Sequence, residues 1–180
     1  EAERMDFSKE PEHVIYLAGG CFWGLEQLMQ SIPGVIDAES GYANGIGEAY
    51  ANYYTVCTGQ TGFRETVRVE YNPEVLPLRK LLNLYFLSID PTSVNQQGED
   101  SGTRYRTGIY YIDPEDYPTI HDMLHELQHS YSSPIAVEAG PLKAFYPADE
   151  YHQDYLDKHP DGYCHLPEAL FVMARNANKK

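Results

Sequence analysis

The chain has 180 residues, 42% of them apolar and 22% charged, an ordinary globular composition with the length for one domain and a substantial core. Its formal charge of −14 argues against nucleic acid and anionic membrane surfaces as partners, and no apolar run is long enough to span a bilayer. Three widely spaced cysteines, Cys21, Cys57 and Cys164, make neither a small secreted disulfide framework nor a Cys-x-x-Cys zinc knuckle.

In chain order, residues 1–12 are polar and acidic and read as an N-terminal arm. Residues 13–18 form an apolar strand. Residues 22–32 follow as a helix, with Leu25, Leu28, Met29 and Ile32 at helical spacing, stopped by Pro33-Gly34. Val35 to Tyr42 is a second strand, and a loop rich in Gly, Asn and Tyr runs from Gly41 to Tyr54. Residues 64–71 alternate cleanly as a third strand. A helix over 77–88, a polar segment from Pro91 to Arg106, a strand from Thr107 to Ile112 and a helix over 115–131 come next. Pro134 precedes a short strand expected to run through Val137. The order β-α-β-β-α-β predicts an α+β fold, a two-layer sandwich with a ferredoxin-like split β-α-β core and helices on one face of a mainly antiparallel sheet. The remainder, from about Gly140, reads as a long C-terminal excursion with short helices. A single catalytic domain over 13–173 and a polar tail or linker over 174–180 are the expected divisions.

The chemistry concentrates in Gly20-Cys21-Phe22-Trp23-Gly24, where a thiol stands between a strand and a helix. A helix N-terminus stabilises an anion, which biases such a thiol toward thiolate, and Phe22 with the chain's only Trp offers aromatic walls beside the sulfur. The plain alternative is a buried structural cysteine in a glycine-flanked turn. On strand 64–71, Glu65 lies in phase with Val67, Val69 and Tyr71. A carboxyl on that buried face resists ionisation and is suited to act as a general acid, whereas a Glu at the strand start that reaches solvent or pairs with an arginine is the bland reading. A reactive thiolate, aromatic walls and a neutral acid together point to attack on an electrophile whose leaving oxygen needs a proton. A second thiol would then resolve the oxidised first one. Cys164, in Gly162-Tyr163-Cys164-His165, suits that role, and Cys57 reads as a small buried filler.

These motifs, with several others in order, resemble peptide methionine sulfoxide reductase A from about His13 to Leu166. The others are Ser40-Gly41-Tyr42-Ala43-Asn44-Gly45, Cys57-Thr58-Gly59-Gln60-Thr61-Gly62 leading to Glu65, and Asp90-Pro91-Thr92. Gln97-Gly98-Glu99-Asp100, Gly102-Thr103-Arg104-Tyr105-Arg106 and Tyr151-His152-Gln153-Asp154-Tyr155-Leu156 continue the series. The second half looks especially like A-type domains fused to a B-type reductase. The resemblance implies a thiol-dependent reductase that converts the S epimer of methionine sulfoxide, free or in proteins, to methionine. It implies Cys21 as nucleophile, Glu65 as proton donor, Tyr53 and Tyr105 as hydroxyl donors near the sulfoxide oxygen, and Phe22 and Trp23 as the pocket for the S-methyl group. Asp100 stands as a supporting carboxylate and Tyr163 as a substrate contact. A sulfenic acid on Cys21 would condense with Cys164, and thioredoxin (dithiothreitol in vitro) would reduce the disulfide, with no cofactor and no metal ligands. Two departures stand out: no cysteine follows Cys164, so thioredoxin would act directly on the Cys21–Cys164 bond, and Phe63-Arg64 precedes Glu65. Strand alternation turns Arg64 to the opposite face from Glu65.

Two other readings compete. His125-Glu126-Leu127-Gln128-His129 matches the H-E-x-x-H zinc-protease pattern on an expected helix. Its apolar stripe is Ile120, Met123, Leu124, Leu127 and Tyr131, so His121, His125 and His129 fall on a polar face where metal binding would be incidental to catalysis. The second is an acidic module that recognises Met-containing peptides through Phe22, Trp23 and the Tyr-rich loop. Oxidised proteins and thioredoxin are the expected partners, and the acidity favours a monomer. Thiol chemistry suits the cytoplasm; because the chain opens on Glu1, the alternative is the cell envelope or another extracytoplasmic site, if a leader or anchor was removed.

Overall fold

The first strand, β1 (His13–Ala18), is buried on both faces, with Ile15 and Leu17 turned to the main core and Tyr16 and Ala18 to a smaller cluster behind the sheet. The computed structural model describes residues 13–20, 22–44, 63–93, 96–97, 100–101, 105–148, 152–159, 166 and 168–176. After β1 come α1 (Phe22–Gln30), β2 (Val35–Ala43), β3 (Arg64–Tyr71), α2 (Leu78–Leu87) and a two-residue hairpin of β4 (Gln96–Gln97) and β5 (Asp100–Ser101). They are followed by β6 (Gly108–Tyr111), α3 (Asp116–Gln128), β7 (Glu138–Pro141), β8 (Phe145–Pro147), α4 (Tyr155–Lys158) and α5 (Glu168–Arg175).

Six strands form one sheet in the order β7-β6-β1-β3-β2-β8. Its inner four, β6-β1-β3-β2, are antiparallel throughout and reproduce the split β-α-β arrangement expected from the element order. The helices supply Leu25, Leu28 and Met29 from α1, Leu81, Leu82 and Tyr85 from α2, and Ile120 and Met123 from α3 to one continuous core with Ile15, Leu17, Val67 and Val69 of the sheet. Each such large apolar side chain, fully buried, contributes on the order of 2 kcal/mol.

Two expectations need correction. No strand forms over 134–137, because that stretch spends its backbone groups elsewhere. Ile135 N–H donates to the Gln128 side chain and Ala136 N–H to the carbonyl of Pro91. Sheet pairing starts only at Glu138, whose N–H reaches Thr107 O at 3.2 Å, and β7 then runs parallel to β6. Helix α3 is also shorter than expected: Gln128 Nε2 donates to the carbonyls of Tyr131 and Ser133, which turns the chain there and leaves Tyr131 38% exposed. The C-terminal excursion carries short helices, as expected, and also a strand. β8 pairs with β2 at the far sheet edge, and α5 packs Leu170, Phe171 and Ala174 into the core. Among the described residues no helix is long and apolar enough to cross a membrane.

Candidate active site

The segment that leads to Cys21 is shaped by two glycines with different physical reasons. A side chain at Gly19 would place its Cβ 2.6 Å from Ile89 Cγ2, so the chain can pass the end of α2 only with hydrogen there. Gly20 has φ +76°, a left-handed conformation that costs other residues energy and that turns the strand into the helix. Tyr85, fully buried on α2, fixes the end of the strand: its hydroxyl donates to Ala18 O and accepts from Gly108 N–H at 3.2 Å. Burial pushes that phenol's pKa up, so it remains a neutral donor across the physiological range.

The two residues that flank Cys21 in the chain are each bonded to an expected site residue. Gly20 N–H donates to the carbonyl of Tyr105 at 3.3 Å, and Phe22 N–H donates to Glu65 Oε1 at 3.2 Å. Phe22 opens α1, so its N–H is one of the helix's unpaired donors, and Glu65 supplies the missing acceptor from the neighbouring strand. Glu65 is 1% exposed, on the core face of β3 with Val67, Val69 and Tyr71, as its phase in the strand requires.

Arg64 points the other way. Its Nη2 lies 2.9 Å from Glu138 Oε1 and its Nη1 donates to Asn44 O. Tyr110 Oη donates to the same Glu138 carboxylate at 2.6 Å, and burial is the main force that raises its pKa. The guanidinium beside Glu65 in sequence is thus engaged with a carboxylate of its own on the opposite face of the sheet.

Phe22 and Trp23 diverge from the helix start. Phe22 is 1% exposed and contacts the rings of Tyr42 and His152, with centroids 5.6 and 5.8 Å away. Trp23 is half-buried and stacks flat on Tyr155, centroids 3.7 Å apart at 8°. Its indole Nε1–H donates to His152 Nδ1 at 3.2 Å, so Nδ1 is the unprotonated nitrogen of that ring. The segment that delivers His152 and Tyr155 is tied down on both sides. Gln153 exchanges hydrogen bonds with the backbone of Ser40 on β2 (2.9 and 2.8 Å), and Asp154 N–H donates to the buried Glu26 of α1 at 2.9 Å.

The structure therefore brings Glu65, Phe22, Trp23 and Tyr105 to the turn around position 21. Cys21, Tyr53, Cys57, Tyr163 and Cys164 lie outside the described residues, as does the side chain of Asp100, whose backbone belongs to β5. Within Tyr151-His152-Gln153-Asp154-Tyr155-Leu156, His152 and Tyr155 carry a role that no sequence pattern assigns. The signal was the concentration of ring and amide side chains in six residues, and only the fold reveals that they support the Trp23 wall.

The H-E-x-x-H string does not assemble a protease site among the described residues. Glu126, which would be its base, is exposed and ion-paired with Arg79 at 3.1 Å. No third His, Cys, Asp or Glu joins His125 and His129 within coordinating reach among those residues.

The model of the peptide methionine sulfoxide reductase family matches residues 13–180. Peptide methionine sulfoxide reductase MsrA of Lachnoclostridium phytofermentans is 52% identical over 163 residues, 91% of this chain and 98% of the relative. The crystal structure of reduced Mxr1 from Saccharomyces cerevisiae superposes with a TM-score of 0.82 at 38% identity, covering 90% of this chain and 93% of that one. The same yeast protein in complex with Trx2 gives a TM-score of 0.58 at 27% identity, over 85% of this chain and 91% of that one. The chain belongs to the peptide methionine sulfoxide reductase family, as an A-type oxidoreductase that returns methionine sulfoxide to methionine.

Proposed function

We propose that Cys21 performs the reduction and that Glu65 supplies the proton. The observation that carries this reading is the pair of bonds at the turn: the residues before and after Cys21 are hydrogen-bonded to Tyr105 and Glu65. Covalent geometry keeps the Cα of Cys21 about 3.8 Å from that of Phe22, whose own N–H is on the Glu65 carboxyl. Glu65 is 1% exposed and its carboxyl is held at the start of α1 by that bond, beside position 21.

In the proposed sequence the Cys21 thiolate attacks the sulfoxide sulfur and forms an S–S bond to it. Glu65 protonates the departing oxygen, with the hydroxyls of Tyr53 and Tyr105 donating to it. The S–O bond breaks and the oxygen leaves as hydroxide; hydroxide then adds to Cys21 Sγ, the S–S bond breaks, and methionine departs from a Cys21 sulfenic acid. The Cys164 thiol then displaces water from that sulfenic acid, and the Cys21–Cys164 disulfide takes two electrons from a dithiol. Thioredoxin is the proposed dithiol, supported by the yeast relative in complex with Trx2. Phe22 and Trp23 would receive the S-methyl group of the S epimer, with Asp100 and Tyr163 completing the pocket. The thiol supplies all the electrons to the sulfoxide, so the proposal needs no resident cofactor or metal. One domain over 13–173, acting as a monomer in the cytoplasm on oxidised proteins and free methionine sulfoxide, completes the reading.

The test is a single turnover on separated epimers without reductant. The wild-type chain should consume two thiols per methionine formed, and Cys21→Ser should form none. Cys164→Ser should still give one equivalent of methionine and then stall with thioredoxin. Sustained thioredoxin-driven turnover by Cys164→Ser, or methionine from Cys21→Ser, would refute the scheme.

A further inference from the structure

The three histidines of α3 are absorbed neither by the reductase chemistry nor by the core. His121, His125 and His129 recur every four residues and are all exposed. That spacing stacks side chains on one helical face, one turn apart. His129 lies just past the last residue of α3 but keeps helical backbone angles, φ −64° and ψ −19°, so the row continues through the helix end.

His125 and His129 are the close pair. Their rings meet edge to face with centroids 5.3 Å apart. Metal–nitrogen bonds of about 2.0–2.1 Å to two imidazoles at a tetrahedral angle put the ring centroids roughly 5 Å apart, so this spacing already suits a shared ion. Neither ring is committed elsewhere: among the described residues no hydrogen bond or ion pair engages either one. His121 differs, being 3.8 Å from the Asp122 carboxylate and in contact with the ring of Tyr117.

The electrical setting favours a cation at that position. The negative end of the helix dipole lies at the C-terminus of α3, where this pair sits. The chain as a whole is strongly acidic, at −14. Two imidazoles with water in the remaining positions select borderline transition ions over Mg2+ or Ca2+, which take oxygen ligands.

We propose that His125 and His129 form a two-point surface site for a divalent transition ion of the Cu2+, Ni2+ and Zn2+ class. Water completes its coordination, and the site is separate from the reductase centre. The ion is not a catalyst there. The Glu126 carboxylate, the only base the motif offers, is held by Arg79. Bound across one helical turn, the ion staples the last turn of α3 and adds stability in proportion to its occupancy.

The experiment is a Ni2+ titration of the full, untagged chain by calorimetry, with the three thiols first alkylated so that they do not compete. Ni2+ should bind, Cu2+ more tightly, and Mg2+ not detectably. His125→Gln and His129→Gln should each lower Ni2+ affinity by on the order of tenfold or more, because the second ligand's effective concentration is lost. His121→Gln should lower it less than either. Ni2+ should also raise the melting temperature of the wild type but not of either paired variant. All three variants, left unalkylated, should reduce methionine sulfoxide at the wild-type rate without added metal. Unchanged Ni2+ affinity in both His125→Gln and His129→Gln, or an equal loss in His121→Gln, would overturn the proposal.

Discussion

Replacing His152 with Phe would keep a ring between Phe22 and Trp23 while removing the acceptor of the indole N–H, 3.2 Å away. A buried donor stripped of its partner costs about 1–3 kcal/mol, and the half-buried state of Trp23 lets water recover part of it, so the lower end is expected. For a chain of this length that is a fall of roughly 2–4 °C in melting temperature. Trp23 would not swing free, because its flat stack on Tyr155 remains, worth about 0.5–1.5 kcal/mol beyond the buried area. The expected result is a looser aromatic wall, with KM for methionine sulfoxide raised more than kcat is lowered. Trp23 is the only Trp in the chain, so its emission reports this environment without interference. His152→Phe should change the emission spectrum, Tyr155→Ala should change it further, and His152→Gln, which restores an acceptor, should recover part of the wild-type KM. Because both residues act through Trp23, the double variant should depart from additivity. Wild-type emission, melting temperature and KM in His152→Phe would refute the assignment of that ring as the support of the wall.

Other outcomes follow from the same geometry. Glu65→Gln keeps an oxygen for Phe22 N–H but lacks the proton; single-turnover methionine formation should slow by on the order of 10²-fold or more with little change in melting temperature, and a rate near wild type would remove Glu65 from the chemistry. Tyr85→Phe leaves Gly108 N–H without its hydroxyl partner beneath Gly19-Gly20 and should cost about 1–3 kcal/mol in denaturant melts. Gly20→Ala, forced to φ +76°, should destabilise by about 1 kcal/mol and slow the single turnover by displacing the turn; a variant as stable as wild type would contradict the left-handed geometry. Asp116 carries a carboxyl whose pKa is raised chiefly by burial and lowered in part by its bond to His13 at 2.9 Å. A raised folded-state pKa means that the native chain holds the proton more tightly. This group's contribution is therefore full below the ordinary carboxylate range and is lost as pH rises through the raised value. His13→Ala removes the compensating contact and should deepen the loss of stability as pH rises above the ordinary carboxylate range, measured by urea melts at stepped pH.

Much of the fold was legible because the sheet's faces are chemically distinct. Strict alternation over 64–71 predicted both the strand and the burial of Glu65, and the same alternation correctly sent Arg64 to the opposite face. The strand expected between Pro134 and Val137 does not form because β propensity says nothing about where backbone donors find acceptors; Gln128 and Pro91 accept from them instead. Strand β8 was hidden for a related reason. Phe145-Tyr146-Pro147 is too short to carry a period, and it is a strand only because the exposed edge of β2 lies beside it.

The sequence by itself determined the layer order, the thiol placed at a helix start and the acid in phase with the core, since each depends on spacing between near neighbours. Tertiary structure alone decided that Tyr105 and Glu65 bond the residues on either side of Cys21, and that His152 and Tyr155 brace Trp23. Those contacts join residues separated by tens to more than a hundred positions, and such proximity arises from how the strands are ordered in the sheet, which no local pattern encodes.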